Sequence, residues 1–360
     1  MIYLDYQATT PLAPEALAAM LPWLESQHAN PHSPHAPGRA AKAAVEAARG
    51  QVAALLPPGG TLAFTSGATE ALNWAIKGTT GGIVTLATEH AAVLDTVAAS
   101  GRPVTVLPVR ADGMVDLELV RAAIVPGTGL VAAMLVNNEI GVIQPIEALA
   151  DLAHAAGALF LCDAVQGYGR VPIPANCDLV AVSAHKIHGP KGIGALWVRD
   201  GVTLAPLLHG GGQEAPGRSG TLSPALCAGF GAAARVAAAR REEDAAHVAR
   251  LHAAAIARLA GGWHLNGSAT DRYPGNLNVR RDGLDVGRLI ADLRDIAFSA
   301  GSACASGSGR PSHVLRALGL SDAQARSSIR IGFGRTTTEE ELMTALDRLC
   351  AAADAQRVVA

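Results

Sequence analysis

The fold prediction rests first on the stretch Ala158-Leu-Phe-Leu-Cys-Asp-Ala-Val-Gln166. An apolar run of strand length comes first, and a carboxylate and an amide follow where the run ends. An uninterrupted apolar run indicates a strand that is covered on both faces, as in parallel sheets. Similar short runs occur at residues 61–64, 83–86, 130–136, 179–182 and 195–198, with helical stretches between several of them. This alternation predicts an α/β fold with a mostly parallel sheet wrapped by helices.

The chain outside these runs predicts a second, smaller unit. An Ala/Arg/Glu-rich helix over residues 232–259 is typical of a connector, and strand-like runs follow at residues 276–279, 296–299 and 329–333. We therefore predict a large domain formed by residues 13–255. Residues 1–12 and 256–360 are predicted to form a small α+β domain.

Composition excludes several classes of function. Of the 360 residues, 49% are hydrophobic and 17% are charged, which favours a globular protein over a disordered one. A formal net charge of −2 and an aromatic content of 4% argue against direct binding of nucleic acid or of an anionic membrane. No signal peptide or membrane span is expected. The 5 cysteines are an odd number without a C-x-x-C pair, so a disulfide framework is not expected and a reducing cytoplasm is favoured.

Polar clusters follow five of the apolar runs. In open α/β sheets ligands bind outside the carboxyl ends of the strands, so these clusters are expected to converge on one site. The clusters are Thr65-Ser-Gly-Ala-Thr-Glu70, Thr88-Glu-His90, Asn137-Asn-Glu139, Asp163-Ala-Val-Gln166 and Ser183-Ala-His-Lys186.

Two of these clusters allow alternative interpretations. Residues 66–69 lie at a predicted strand-to-helix turn, where backbone N–H groups and hydroxyls can hold an anion. The same residues could form a simple helix cap with Glu70 as a partner. Asp163 follows an apolar run, so its carboxylate must be hydrogen-bonded or paired. Its partner could be a structural arginine or the protonated ring nitrogen of a cofactor.

Chemistry that needs a primary amine has few candidates in this chain, because its lysines are Lys42, Lys77, Lys186 and Lys191. Lys186 follows an apolar run, and a lysine in an apolar site favours the neutral amine that forms a Schiff base. Lys191 fits a surface loop, and the other two fit solvated helix faces.

Histidines and cysteines are the candidates for metal binding and for nucleophilic chemistry. His185 and His188 are spaced like metal ligands, but Pro190 follows and no third ligand is evident, so no metal site is expected. Cys304 lies within the small-residue segment 301–309, which predicts an exposed nucleophile. The other cysteines lie in apolar or helical contexts and fit the core.

The ordered set of motifs resembles the cysteine desulfurases, which are pyridoxal-phosphate enzymes of the class V aminotransferase group. The cysteine segment resembles that of the members with a long mobile cysteine loop. The resemblance covers nearly the whole chain and implies an aminotransferase-like fold of fold type I. It is carried by Tyr3-Leu-Asp-Tyr-Gln-Ala-Thr-Thr-Pro11, Phe64-Thr-Ser-Gly-Ala-Thr-Glu70, Thr88-Glu-His90, Val136-Asn-Asn-Glu-Ile-Gly141, Asp163-Ala-Val-Gln166, Ser183-Ala-His-Lys-Ile-His-Gly-Pro-Lys-Gly192, Arg218-Ser-Gly-Thr221, Ser302-Ala-Cys304 and Ser327-Ser-Ile-Arg-Ile331.

The resemblance implies a role for each matching residue. Lys186 is expected to bind pyridoxal 5′-phosphate covalently and to move the proton on the substrate Cα. Asp163 is expected at the ring nitrogen, Gln166 at the phenolic oxygen and His90 over the ring face. The other implied cofactor-binding residues are Ala68, Thr69, Ser183 and His185, with Thr221 reaching the phosphate from a partner subunit, and Asn138 near both the cofactor and the substrate. Arg330 is expected to clamp the substrate carboxylate with help from Asn30, and Cys304 to attack the substrate sulfur.

The implied activity converts L-cysteine to L-alanine and leaves the sulfur on Cys304 as a persulfide. A homodimer and a protein sulfur acceptor are implied with it, the acceptor being an iron–sulfur scaffold or a tRNA-thiolation protein. The chain departs from the family pattern at residues 213–217 and in its short C-terminus. A selenocysteine lyase or another aminotransferase-like reaction is the alternative. A binding protein without turnover is less consistent with Lys186, Asp163 and Cys304 together.

Overall fold

The computed structural model describes residues 1–214, 217–301 and 311–357, without the side chain of Arg357. The strands are β1 Ile2–Tyr3, β2 Gly60–Thr65, β3 Gly82–Leu86, β4 Val104–Leu107, β5 Thr128–Met134, β6 Leu159–Asp163, β7 Leu179–Ser183, β8 Gly194–Arg199, β9 His264–Leu265, β10 Asn276–Arg280, β11 Ile296–Ala297, β12 Ser299–Ala300 and β13 Ser328–Gly332. The helices are α1 Pro14–Glu25, α2 Ala36–Ala53, α3 Ala68–Gly78, α4 Ala91–Ala98, α5 Leu117–Ala123, α6 Ile146–Ala155, α7 Pro224–Arg258, α8 Val286–Asp292, α9 His313–Ala317, α10 Asp322–Arg326 and α11 Glu339–Arg357.

The large sheet has the strand order β2-β8-β7-β6-β5-β3-β4. Strand β8 runs antiparallel to both of its neighbours, and the remaining pairs are parallel. The predicted mostly parallel α/β sheet is therefore confirmed. The edge strand β4 was not predicted from the sequence. Thr105 and Val106 are exposed, so this strand lacks the continuous apolar run that marks the buried strands.

Alternate residues of each central strand pack into two separate cores. In β7, Val180 and Val182 belong to the core that also contains residues of α2, α6 and α7. Leu179 and Ala181 pack on the opposite face with residues of α3 and α4. A strand that is buried on both faces carries no polar alternation, and this explains why its apolar run is uninterrupted.

A second sheet has the order β12-β13-β10-β9 and is antiparallel throughout. Its core includes residues of α7, α8 and α11 together with Leu4. The run at residues 296–299, predicted as one strand, forms two strands instead. β11 pairs with β1 and β12 pairs with β13, so the chain changes partner at Phe298. The predicted division into two domains stays a prediction, and α7 contributes side chains to the cores of both units.

Helix α7 begins at Pro224, eight residues before its predicted start at residue 232. The Ser223 side chain accepts a hydrogen bond from the Leu226 N–H, as an N-cap residue does. Glycines are unfavourable in helices, so Gly229 and Gly231 argued against a helix here. Packing explains both of them: a Cβ on Gly229 would lie 2.7 Å from the Met20 side chain, and one on Gly231 would lie 2.4 Å from Gln51 Oε1.

We predict that Gly194→Ala lowers the free energy of unfolding by about 1–3 kcal/mol, as measured by urea denaturation. Its Cβ would lie 2.6 Å from Val182 O, 2.7 Å from Gly67 C and 2.8 Å from Ala68 N, all of which are backbone atoms. The matched control is Gly50→Ala in α2, where a Cβ meets nothing within 4 Å. The control should raise stability by about 0.5–1 kcal/mol. Equal effects of the two substitutions would contradict the packing described here.

Candidate active site

A cavity of about 550 Å³ lies at the carboxyl ends of the parallel strands of the large sheet. Each of the five polar clusters that follow these strands contributes to its lining. The predicted site residues found in this lining are Ala68, Thr69, His90, Asn138, Asp163, Gln166, Ser183, His185, Lys186 and Arg330. The clusters therefore converge, as the strand-end argument required.

Three predicted site residues are not part of this lining. Asn30 is exposed, and its Oδ1 accepts a hydrogen bond of 2.9 Å from the His32 N–H. Thr221 is also exposed and lies outside the cavity of its own chain. Cys304 falls outside the described residues. The roles given to these three residues stay predictions.

Asp163 ends β6 and forms part of the cavity wall with only 4% of its surface exposed. Its Oδ1 accepts a hydrogen bond of 3.0 Å from the Val165 N–H. Burial raises the pKa of Asp163, and this hydrogen bond and the charges of His90 and Lys186 offset only part of that rise. A buried carboxylate of this kind favours a cationic partner in the cavity.

Lys186 ends a single 3₁₀ turn, Ala184–Lys186, that follows β7. Its Nζ donates hydrogen bonds to the backbone carbonyl of Gln7 and, at 2.9 Å, to that of Ala8. The N-terminal segment also contacts the turn through Thr10, whose backbone N–H and hydroxyl each donate to the His185 carbonyl at 2.9 Å. The chain start thus positions the amine that the cofactor would need.

The contribution of the N-terminal segment was missed by sequence reasoning. Gln7, Ala8 and Thr9 line the cavity, although no role was predicted for any of them from the sequence. The signal that could have found them is the polar composition of a short segment placed before the first helix. Lys191 is exposed, as a surface loop lysine would be, yet it also lines the cavity.

Two histidines of the cavity are held in the neutral form. His90 caps α4, and its Nδ1 accepts a hydrogen bond of 3.0 Å from the Ala92 N–H, which places the ring proton on Nε2. Burial lowers the pKa of His90, and the charge of Lys186 lowers it further against the opposing effect of Asp163. Burial, followed by the charges of Lys186 and Lys191, lowers the pKa of His185 to about 4. Neither ring therefore adds a positive charge to the cavity at neutral pH.

The N-terminus of α3 opens onto the cavity through Gly67, Ala68 and Thr69. The N-cap residue is Gly67, and no side chain caps the helix. Glu70 instead accepts the Ser66 N–H at 2.7 Å and pairs with Arg218 at 2.9 Å. Of the two interpretations of this stretch, the arrangement favours a site for an anion at a helix N-terminus over a serine or threonine cap.

Arg330 reaches the same cavity from β13 of the small sheet and has only 1% of its surface exposed. Its Nη2 pairs with Asp5 Oδ1 at 2.7 Å, and its Nη1 donates to the Asn138 carbonyl at 3.1 Å. Its Nε has no hydrogen-bond partner among the residues that the structure describes. A guanidinium fixed in this way suits planar recognition of a carboxylate.

The family model for Aminotransferase class-V matches residues 2–344 of the chain. The chain belongs to this family. A curated relative, cysteine desulfurase IscS of Rickettsia bellii (strain OSU 85-389), is 44% identical over 97% of this chain and 90% of its own length. The relative of the same name from Rickettsia felis is 43% identical over 99% of this chain and 92% of its own. The predicted resemblance is therefore confirmed.

Solved structures show the same fold over nearly the whole chain. The NifS-like protein from Rickettsia africae ESF-5 superposes with a TM-score of 0.91 at 30% identity, and the match covers 98% of this chain and 99% of that one. A structure titled "SspA in complex with cysteine" has a TM-score of 0.82 at 35% identity, with coverage of 92% and 99%. The aminotransferase-like fold is confirmed.

The cofactor of this family is pyridoxal 5′-phosphate, and the donor set of the cavity fits it. The buried Asp163 carboxylate would accept a hydrogen bond from the protonated ring nitrogen, and the positive charge of the ring would compensate the buried negative charge of Asp163. The N-terminus of α3 would hold the phosphate, and Lys186 supplies the amine. Among the described residues, no group of three or more His, Cys, Asp or Glu side chains could hold a metal ion. The described helices include none that is long and apolar enough to cross a membrane.

We predict that borohydride reduction of the holoenzyme, followed by peptide mapping, labels Lys186 with the cofactor. Lys191 also lines the cavity and serves as the internal comparison. Lys186→Ala should abolish the label, whereas Lys191→Ala should retain it. A label on Lys191 in the unmodified sequence would show that the amine of the site has been wrongly assigned.

We predict that Asp163→Asn stabilises the protein prepared without its cofactor. The pKa of Asp163 is raised in the folded state, above its unfolded value of about 3.9. The folded state thus binds this proton more tightly, so the free energy of unfolding falls as the pH rises above the unfolded pKa. Asp163→Asn removes this decrease in the free energy of unfolding. The difference in free energy of unfolding between the variant and the wild type should therefore grow from pH 4 towards neutral pH.

Urea denaturation over that pH range provides the measurement. The exposed Asp200 makes Asp200→Asn a control with the same change in net charge. An apo Asp163→Asn variant that is less stable than the wild type at neutral pH would show that the carboxylate is paired inside the protein without a cofactor.

Proposed function

We propose that this chain is a pyridoxal 5′-phosphate-dependent cysteine desulfurase that converts L-cysteine to L-alanine and retains the sulfur as a persulfide. The observation that carries the proposal is the joint placement of Lys186, Asp163 and Arg330 on one cavity of a chain whose relatives bear this name over nearly their full length. When bound, the cofactor supplies an electron sink for the electron pair released at the substrate Cα.

Arg330 and Asn138 bind the substrate carboxylate in this proposal. Arg330 is fixed by Asp5 on one side and by the Asn138 carbonyl on the other, so little side-chain freedom is lost on binding. With its carboxylate bound at Arg330, the substrate would extend its Cα into the part of the cavity that Lys186 lines. Lys186 removes the Cα proton and returns it. Gln7 and Ala8 hold the amine of Lys186 on that side.

The other cavity residues orient the cofactor. The Asp163 carboxylate would pair with the protonated ring nitrogen. Gln166 would form a hydrogen bond with the phenolic oxygen. Gln166 is itself held by a hydrogen bond of 2.9 Å from its Nε2 to the Gln7 carbonyl. His90 lines the same cavity and would contact the cofactor ring as a neutral imidazole. Thr69, Ser183 and His185 would bind the cofactor phosphate beside the N-terminus of α3.

Cys304 is the proposed sulfur acceptor within the chain. Its thiolate forms an S–S bond with the substrate sulfur while the C–S bond breaks. The electron pair of that bond remains with the carbon skeleton, which takes up a proton and leaves as alanine. The chain is left with a persulfide, so sulfur, electrons and protons balance without another oxidant.

The described residues on either side of the segment 302–310 support this role. Before it, Gly301 follows β12, where Ser299 pairs in register with Arg330. After it, the Ser312 hydroxyl donates to Glu139 Oε2 at 2.5 Å, and His313 Nε2 lies 2.9 Å from the Glu89 carbonyl. Glu89 and Glu139 are the chain neighbours of His90 and Asn138, so the described residues that flank the segment lie close to residues of the cavity lining.

The proposal includes a homodimer in which the exposed Thr221 of one chain binds the cofactor phosphate in the active site of the other chain. The exposed Leu17, Leu21 and Leu24 recur at helical spacing on α1 and support a contact with a second chain. The final sulfur acceptor is a protein, either an iron–sulfur scaffold or a tRNA-thiolation protein, and the enzyme acts in the cytoplasm.

We predict that Cys304→Ser lowers persulfide formation and sulfide release from L-cysteine by at least about a hundredfold, because the attacking thiol is lost. The variant should still bind L-cysteine and change the absorbance of the cofactor, since Lys186, Asp163 and Arg330 remain. Alanine production and alkylation of the persulfide provide the two measurements.

The matched control is Cys350→Ala, which removes a buried cysteine of α11 and should leave the persulfide yield unchanged. Full desulfurase activity in Cys304→Ser would refute the nucleophile assignment. Production of a keto acid instead of alanine by the wild type would refute the proposed reaction itself.

A further inference from the structure

A second cavity, of about 130 Å³, lies between α7 and the segments that follow β6 and β13. It shares no lining residue with the active-site cavity. Four arginines line it, together with a single carboxylate from Asp244; they are Arg170, Arg241, Arg272 and Arg335. None of these side chains has a role in the proposed reaction.

The charges of this second cavity do not balance. Arg335 Nη2 pairs with Asp244 Oδ2 at 2.6 Å, and Arg240 Nε lies 3.4 Å from Asp244 Oδ1, so two arginines share the single carboxylate. Within the described part of the chain, no carboxylate lies at ion-pair distance from Arg170, Arg241 or Arg272. Cations crowded into a concave, partly desolvated space raise the local positive potential and attract an anion. The lining therefore favours a negatively charged occupant.

Arg272 is the second observation that points to a ligand. It is buried with 6% of its surface exposed, and its two Nη atoms donate to the backbone carbonyls of Ser268, Ile140 and Asn276. Its Nε has no hydrogen-bond partner among the described residues. Burial lowers the pKa of Arg272 to about 10, so the side chain remains charged at neutral pH. A buried cation with an unmet donor is costly unless an anion accompanies it.

Arg170 connects this cavity to the active site. Its Nη2 donates to the Lys186 carbonyl, and its Nη1 lies 3.4 Å from Gln166 Oε1. The guanidinium also packs over the Tyr273 ring, with Cζ 5.2 Å from the ring centroid. An anion that draws on the donors of Arg170 therefore acts on two residues that line the active-site cavity.

His188 adds no positive charge to the cavity. Its Nδ1 lies 2.9 Å from the Pro11 carbonyl, and burial, followed by the charges of Arg335 and Arg170, lowers its pKa to about 4. The cavity has room for a few waters or one small ion, which excludes a nucleotide or a peptide. Guanidinium groups match the oxygens of tetrahedral oxyanions, and the exposed Arg241 provides an entry from solvent.

We propose that the cavity lined by Arg170, Arg241 and Arg272 binds one small tetrahedral oxyanion of the phosphate or sulfate class, and that Arg170 couples its occupancy to Lys186 and Gln166. This site is separate from the one proposed for the cofactor phosphate. Binding of the oxyanion does not depend on which reaction the active site catalyses, whereas its coupling to the active site rests on the proposed cofactor site at Lys186.

Calorimetric titration of the holoenzyme with inorganic phosphate tests the proposal, because the bound cofactor already fills its own phosphate site. The ionic strength is held constant, and saturating L-alanine occupies the carboxylate site at Arg330. We expect one phosphate per chain, displaced by sulfate but not by an equal concentration of chloride. Phosphate should also shift the absorbance of the cofactor.

The variant Arg241→Gln should weaken phosphate binding about tenfold, which is the effect of losing one charged hydrogen bond. Arg241 is exposed, so this variant should fold normally. The matched control is Arg250→Gln, which removes an exposed charge from the same helix outside the cavity and should bind as the wild type does.

Four results would overturn the proposal or one part of it. Absence of saturable phosphate binding would refute the site. Equal weakening in Arg241→Gln and Arg250→Gln would show general attraction to the charge of the chain. Equal displacement by chloride would refute the oxyanion class. An unchanged cofactor spectrum at saturating phosphate would refute the coupling through Arg170.

Discussion

The burial of a carboxylate at the end of a central parallel strand is the constraint on which the active-site cavity depends. Asp163 has 4% of its surface exposed in the cavity wall, and burial raises its pKa, so a cationic partner in the cavity would stabilise its charged form. Its neighbourhood contains a second acid, Glu89, whose pKa is raised well above its usual range by burial. The hydrogen bond that Glu89 Oε1 accepts from the Met134 N–H does not reverse that rise. Burial therefore disfavours the charged form of Glu89, so Asp163, which lines the cavity, is the carboxylate that would pair with a bound cation.

The first ten residues connect this carboxylate region to the small sheet. Asp5 fixes the guanidinium of Arg330, and the Gln7 and Ala8 carbonyls hold the amine of Lys186. Thr10 fixes the turn that carries Lys186 through its two bonds to the His185 carbonyl. The segment therefore sets the distance between the group proposed to bind the substrate carboxylate and the group proposed to move its proton. A short strand of two residues, β1, is enough to anchor it because β1 pairs with β11.

The strand-end clusters could be predicted from the sequence because their signal is local. An apolar run followed at once by polar residues marked Asp163 and Lys186, and the structure places both in the cavity lining because parallel strands bring the clusters together. Contacts between distant parts of the chain carry no such signal. The pairing of Asp5 with Arg330 and the hold of Gln7 on Lys186 join residues more than 170 positions apart. The start of α7 was misplaced for a related reason, since its two glycines are explained only by the helices packed against them.

The central claim is that Asp163 holds a protonated ring nitrogen in the active-site cavity. The most direct test is the ¹⁵N chemical shift of that nitrogen in holoenzyme reconstituted with ring-labelled pyridoxal 5′-phosphate. We expect the chemical shift of a protonated pyridinium throughout the range from about pH 6 to 9, because pairing with the Asp163 carboxylate raises the pKa of the ring nitrogen above its value in water. A shift typical of the unprotonated ring at neutral pH would contradict the account, since Asp163 would then have no cationic partner in the occupied cavity.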